Sequence, residues 1–326
     1  MSHSTPKASP ASGPNGRRQP GPHRDQPGAS EMKPVVRKLA DEYSDFVSQR
    51  SEEHRASCQQ FDRENRRQIA RLAARGVSTV NELIAVLPQL PPKLKEFGIW
   101  WFQVTRPRGA ELTLLRMFHH DEPYRLLCAS ALAMIGGRRS IRQFLRIGAD
   151  QLASKLPDRN WLAAVIQGIK FLHNPPPEAE EMLLTIYERT DLPGWLRGEA
   201  GDALGCCGRL LCDRRTSLFR RAWRTAISGI DDADIEVKFW SMYVIMQLAQ
   251  NYSSNRNRSN TMMTAALPRL REIAATDHRL APGFWWPMSA EAEDAIAVIQ
   301  SGNGLEVDAA DRWHGQQERG PITRDG

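Results

Sequence analysis

Hydrophobic residues recur along this chain at three- and four-residue intervals, and nowhere in the sustained alternation that marks a strand. Leu94, Phe97, Trp100, Trp101 and Val104 fall at helical spacing and end before Pro107. Beyond them the periodic segments come in pairs, separated by brief polar or Pro/Gly breaks. Residues 112–118 lead to 124–135, which Gly136-Gly137 stop; 140–147 pair with 161–172, and 178–189 with 195–207. Residues 216–230 pair with 236–249, and 262–274 with 289–299. Upstream, Ser78 or Thr79 with Glu82 reads as a capping box for a short helix toward Leu87. Pro91 and Pro92 suit the first turn of the next helix, where missing amides are tolerated. The pattern predicts an all-α protein.

The N-terminal region departs from it. Residues 1–34 hold seven prolines and four glycines with almost no large apolar side chain. Such a segment buries too little surface to offset the entropy of ordering, so a disordered basic tail is expected. Residues 35–108 are expected to be capping helices. Val36, Leu39, Tyr43, Phe46 and Val47 give one stripe, weakly continued by Cys58, Phe61, Ile69 and Leu72. This charged stretch either caps the array's edge or protrudes toward another subunit. Residues 109–301 form the array itself, and 302–326 a flexible C-terminal tail.

Within the array a phrase recurs. Glu199, Ala200, Asp202, Ala203 and Leu204 reappear as Glu291, Ala292, Asp294, Ala295 and Ile296. Pro193-Gly194-Trp195 precedes the first copy, and Pro282-Gly283-Phe284-Trp285 the second. Arg125, Ala131 and Leu132 stand 72 residues before Arg197, Ala203 and Leu204. Anchoring at Arg125, Leu162, Arg197, Lys238 and Ser289 gives steps of about 37, 35, 41 and 51 residues, the period of a helical-repeat array. Small residues such as Ala163, Ala164, Ala200 and Ala203 let second helices approach closely. These paired helices, with 125–132, 197–204, 237–245 and 291–296, resemble HEAT repeats, close relatives of armadillo repeats. The resemblance covers roughly 110–300, with Gly168 departing from it where alanine or leucine is the rule. It implies a right-handed α–α superhelix, a curved solenoid most often used as a scaffold, and it supplies no catalytic residue.

Charge changes the picture less than the total of +6 suggests. Residues 1–38 carry seven basic side chains against Asp25 and Glu31, so the rest of the chain is nearly neutral. Net basicity therefore makes no case for nucleic acid. No apolar run is long enough to span a bilayer and no signal-peptide core opens the chain, so a cytoplasmic protein is expected. The five cysteines fit that compartment. Cys128 sits in an apolar run, and Cys206, Cys207 and Cys212 lack metal-ligand spacing.

Two arginine clusters stand out. Arg209, Arg214, Arg215, Arg220, Arg221 and Arg224 form one; Arg138, Arg139, Arg142 and Arg146 form the other. They are either solvated faces paired with nearby acids or a site for an anionic partner. Trp161, Trp223 and Trp240 fit core positions, whereas Trp195, Trp285 and Trp286 occupy turns entering second helices. There they act as staples or as anchors for a partner. Trp313 has no assigned role. Glu199, Asp202, Glu291 and Asp294 read as helix-start acids favoured by the macrodipole, and His119-His120 as helix-end cations. No catalytic, phosphate-loop or cofactor motif occurs. The expectation is a non-enzymatic scaffold, with no cofactor or metal, binding a protein partner through the concave or rim surface. The alternatives are a nucleic-acid-binding HEAT-like protein, of the DNA-glycosylase kind, and more remotely a HEAT-like lyase.

Overall fold

The computed structural model describes residues 55–206, 216–253, 261–280 and 287–301, with the side chains of 55–62 left aside. These residues are helical, joined by short connections, with one isolated antiparallel bridge between Leu280 and Pro287. α1 spans Arg55–Ala73, α2 Val80–Val86 and α3 Pro92–Thr105. Four helix pairs follow: α4 Glu111–His120 with α5 Arg125–Ile135, α6 Arg138–Ala153 with α7 Arg159–Lys170, α8 Pro177–Glu188 with α9 Gly194–Cys206, and α10 Thr216–Gly229 with α11 Ile235–Ser253. The short α12 Thr261–Thr264 leads into the last pair, α13 Leu267–Thr276 and α14 Met288–Ser301. The expected pairs are all present, with ends displaced by a few residues as capping requires.

The helices start and stop for local reasons. Thr79 caps α2 through the Glu82 amide while Glu82 reaches back to the Thr79 amide, completing the expected box. Asp158 accepts from Asn160 and Trp161 to open α7. Asp234 does the same for α11 through Glu236 and Val237. Gly136 closes α5 at φ 70°, a left-handed conformation that costs glycine nothing. The start of α6 borrows its cap from the preceding pair: Glu111 accepts from the Ser140 amide at 3.1 Å and hydroxyl at 2.9 Å.

Each first helix packs on its own second helix, and the second helices stack in chain order from α3 through α5, α7, α9, α11 and α14. The apolar core runs through this stack, from Trp101 and Phe102 through Leu132, Val165 and Ala203 to Val244 and Ala295. α3 packs on α5 as α5 packs on α7. The stack thus begins with α3, ahead of the boundary expected at 109. α1 packs on α3 at the edge, where a cap was expected.

Successive pairs are also pinned at the turns. Lys95 binds Asp121 at 2.8 Å, Arg197 binds Asp232 at 2.7 Å and Lys238 approaches Asp277 at 3.8 Å. In each case a base in the first turns of a second helix reaches the acid ending the next pair's first helix. Arg125 instead lies 4.0 Å over the Trp161 ring. Arg125 and Arg197 each donate to a carbonyl of their own first helix, at Phe118 and Tyr187, both at 3.3 Å. The 72-residue offset is therefore a structural equivalence. The unusual Gly168 also has a physical reason: a Cβ there would meet the buried Phe144 ring at 2.6 Å.

Candidate functional site

The equivalence of Arg125 and Arg197 carries Leu127, Ser130 and Met134 of α5 onto Glu199, Asp202 and Cys206 of α9. Both sets run three and four residues apart, so each lies along one face of its helix. Contacts across neighbouring helices show that these faces adjoin. Gln103 of α3 donates to the Leu127 carbonyl at 3.3 Å, and Gln167 of α7 donates to the Ser130 hydroxyl at 3.0 Å. Lys170, one turn beyond Gln167, binds the Asp202 carboxylate on α9. The Cys206 thiol reaches back to Asp202 at 3.9 Å, and Tyr243 of α11 neighbours that thiol. A polar seam thus links four successive second helices and reaches a fifth.

Lys170, Glu199, Asp202, Cys206 and Tyr243 are the seam's ionisable centre. Burial lowers the Lys170 pKa, but the Asp202 carboxylate, with smaller help from Cys206 and Glu199, more than offsets it and holds the ammonium above its ordinary value. Burial raises the Glu199 carboxyl, with Lys170 opposing the rise. Burial likewise raises the Cys206 thiol and the Tyr243 phenol, so neither is an activated nucleophile. Cys128, deep in the core, is pushed up to about 12 by burial. Among the described residues no group of His, Cys, Asp and Glu is arranged to hold a metal ion. Burial raises the Asp202 carboxyl as well, with Lys170 opposing the rise, so the centre is a largely buried Lys170–Asp202 pair with the Glu199 carboxyl beside it.

Exposed apolar side chains lie on α5 and α9, the second helices on either side of α7. Leu127 is 38% exposed, Leu126 51% and Trp195 40%. Trp195 opens the stripe that continues through Glu199, Asp202 and Cys206. Its neighbour Gly194 lies against the Asp234 carboxylate, where a Cβ would come within 1.8 Å. The Pro-Gly part of this turn is thus needed for packing between pairs, while the indole beside it remains substantially open.

Glycines set the depth of this region. Gly198, Gly201 and Gly205 line the side of α9 that meets α11, where added Cβ atoms would approach Trp240, Trp240 and Tyr243 at 2.7, 3.5 and 2.6 Å, with Tyr187 of α8 also 3.3 Å from that of Gly201. The four-three-four spacing of Gly194, Gly198, Gly201 and Gly205 was the available sequence signal for that close face. The alanines alone did not reveal it.

Several expected placements change. Asp202 lies in the second half of α9 and serves an interhelical ion pair, so its role is not that of a helix-start acid. Glu291 does occupy the first turn of α14, where it is buried. His119 and His120 do close α4, but burial, with Coulombic opposition from His120, Arg146 and Arg125, lowers the pKa of His119. Its ring contacts Phe118 and Trp161 at 5.4 and 5.8 Å. Trp223 is buried as expected, while Trp161 and Trp240 are only partly so.

The described arginines of the two clusters lie on two different first helices, α6 and α10. Arg138, Arg139 and Arg142 are exposed along α6. α8 packs against both α6 and α10, and its Glu188 takes Arg221 in a bidentate pair, with Thr225 also donating to that carboxylate at 2.8 Å. Arg220 and Arg224 have no acidic partner among the described residues, and with Trp223 they line a separate groove. Arg209, Arg214, Arg215, Cys207, Cys212, Trp285, Trp286 and Trp313 lie outside the described residues, as do the two terminal tails.

No protein-family model, curated protein or solved structure matches this chain. Among the described residues no helix is long and apolar enough to cross a membrane.

Proposed function

We propose that this chain is a non-enzymatic cytoplasmic scaffold, a HEAT-like right-handed α-solenoid that binds a protein partner on the face formed by its second helices. The carrying observation is the exposure of Leu126 and Leu127 on α5 and of Trp195 on α9, the helices that pack on either side of α7 and its Lys170–Asp202 pair. Exposed aromatic and apolar anchors on a rigid surface are what protein interfaces enrich at their centres. A preformed helical stack also avoids most of the ordering cost of association. Nucleic acid fits this face less well, because Lys170 is already paired with Asp202 and the described arginines of both clusters sit on first helices.

The test is a double variant, Leu127→Asp with Trp195→Asp, both at exposed positions. Partner retention by the full chain should fall at least about tenfold, the usual scale for losing central anchors, with helical ellipticity unchanged. Undiminished retention would remove this face from the mechanism. A salt titration with duplex DNA separates the other reading, since phosphate contacts lose affinity steeply as salt rises. Binding at low salt that Leu127→Asp and Trp195→Asp leave intact, with no protein partner retained, would replace the scaffold reading.

A further inference from the structure

On the other side of the array, one face of α10 borders a groove of about 650 Å³. Ser217, Arg220, Trp223, Arg224 and Ile227 recur along it at helical spacing, and Ala265, between α12 and α13, lies opposite. Its floor is mainly apolar. Its two guanidinium groups are one turn apart, and neither has an acidic partner among the described residues. Arg221, between them in sequence, points instead to Glu188. A groove of this character suits a short segment that alternates acids with apolar side chains.

This chain carries such a segment. Residues 305–311 read Leu-Glu-Val-Asp-Ala-Ala-Asp, with three acids and no base, followed by Arg312 and Trp313. Their attachment point is close to the groove. The chain turns back between α13 and α14, where the Met288 amide donates to the Arg279 carbonyl at 3.0 Å. The start of α13 and the end of α14 therefore share one end of the pair, and α12, just before Ala265, packs on α14. Residues 302–304 reach up to about 10 Å, and the chain to Trp313 roughly 40 Å, at the extended rise per residue.

We propose that residues 305–311 dock in the α10 groove, Glu306, Asp308 and Asp311 pairing with Arg220 and Arg224, and Leu305 and Val307 covering the apolar floor. So short a tether gives an effective concentration in the millimolar range, and a contact with an intrinsic Kd of about 0.1 mM then holds the segment docked roughly ten to one. The interaction ties the last two helix pairs together on the first-helix side and leaves the second-helix face open.

Hydrogen exchange on the full chain tests this. Amides of 305–311 should exchange about tenfold more slowly than their unprotected rate, and Arg220→Glu with Arg224→Glu should restore that rate while α11 stays protected. The triple reversal Glu306→Lys, Asp308→Lys, Asp311→Lys should do the same without altering any described residue, so it decides the matter if the arginine variant unfolds. Combining both sets should recover protection. Unprotected amides in the wild-type chain would overturn the proposal, as would protection indifferent to both reversals.

Discussion

The second helices and the first helices of this protein solve different problems. Second helices pack on one another in unbroken order, through a polar seam and through glycines that let α9 and α11 close in. First helices touch their neighbours sparingly, and partly exposed side chains such as Arg221 and Glu188 bridge them. The same amino-acid types therefore carry different weight on the two sides. An ion pair in the seam is better shielded from water than one on the rim. Stability in a stacked array is a sum over neighbouring interfaces, so most of it is expected in the second-helix stack.

Removing Asp202 tests that contrast most severely. Asp202→Ala strands the Lys170 ammonium, whose side chain keeps 22% of its exposure. We expect a loss of about 2–3 kcal/mol, below the roughly 3–5 of a fully buried pair because the ammonium can still turn toward water. Replacing both partners by apolar residues, Lys170→Met with Asp202→Leu, should recover most of it. Urea midpoints at constant slope measure both. A loss in Asp202→Ala no larger than at the rim would erase the distinction.

Gly168→Ala comes next. Its methyl would meet the ring of Phe144, a fully buried side chain with nowhere to retreat. Overpacking of about 1–3 kcal/mol outweighs the gain of up to about 1 kcal/mol that alanine brings to a helix. Phe144→Leu in the same chain should relieve part of the strain, giving a coupling energy of opposite sign. Additive effects in the double variant would show that the ring is not what reserves this position for glycine.

These two residues also show what the sequence made legible. Helix pairing, the Thr79 cap and the 72-residue equivalence could all be read, because each depends on short-range spacing or on a base repeated at one place in successive pairs. The Lys170–Asp202 pair could not. Its partners lie 32 residues apart, and only the stacking of α7 on α9 brings them together. Gly168 looked like a defect in the repeat because its cause, Phe144, belongs to the first helix of the same pair. Local chemistry writes the helices, whereas the seam depends on which faces adjoin.

At the rim the expected effects are smaller. Arg221 and Glu188 keep 35% and 31% side-chain exposure, so solvent screens a pair whose geometry is otherwise good. Arg221→Ala should cost less than about 1 kcal/mol. Unlike the loss at Asp202, it should shrink further as salt shortens the screening length. A salt-independent cost comparable with Asp202→Ala would place the rim and the seam on the same footing.

The smallest effect is expected where the two sides meet, at His119 on α4 beside Trp161 on α7. Burial and the neighbouring positive charges lower its pKa from 6.5, so the folded chain binds this proton less readily than the unfolded chain does. The resulting stabilisation is fully present above the ordinary histidine value and is lost as pH falls through the depressed one. Between about pH 7 and pH 5, the wild-type melting temperature should therefore drop by about 1–2 °C more than that of His119→Gln, a modest amount because the ring is partly screened by water. An imidazole titration followed by NMR should place His119 below the ordinary histidine value. Equal slopes in the two proteins, or His119 titrating above its ordinary value, would mean that the Arg125, Arg146 and Trp161 surroundings do not disfavour the protonated ring.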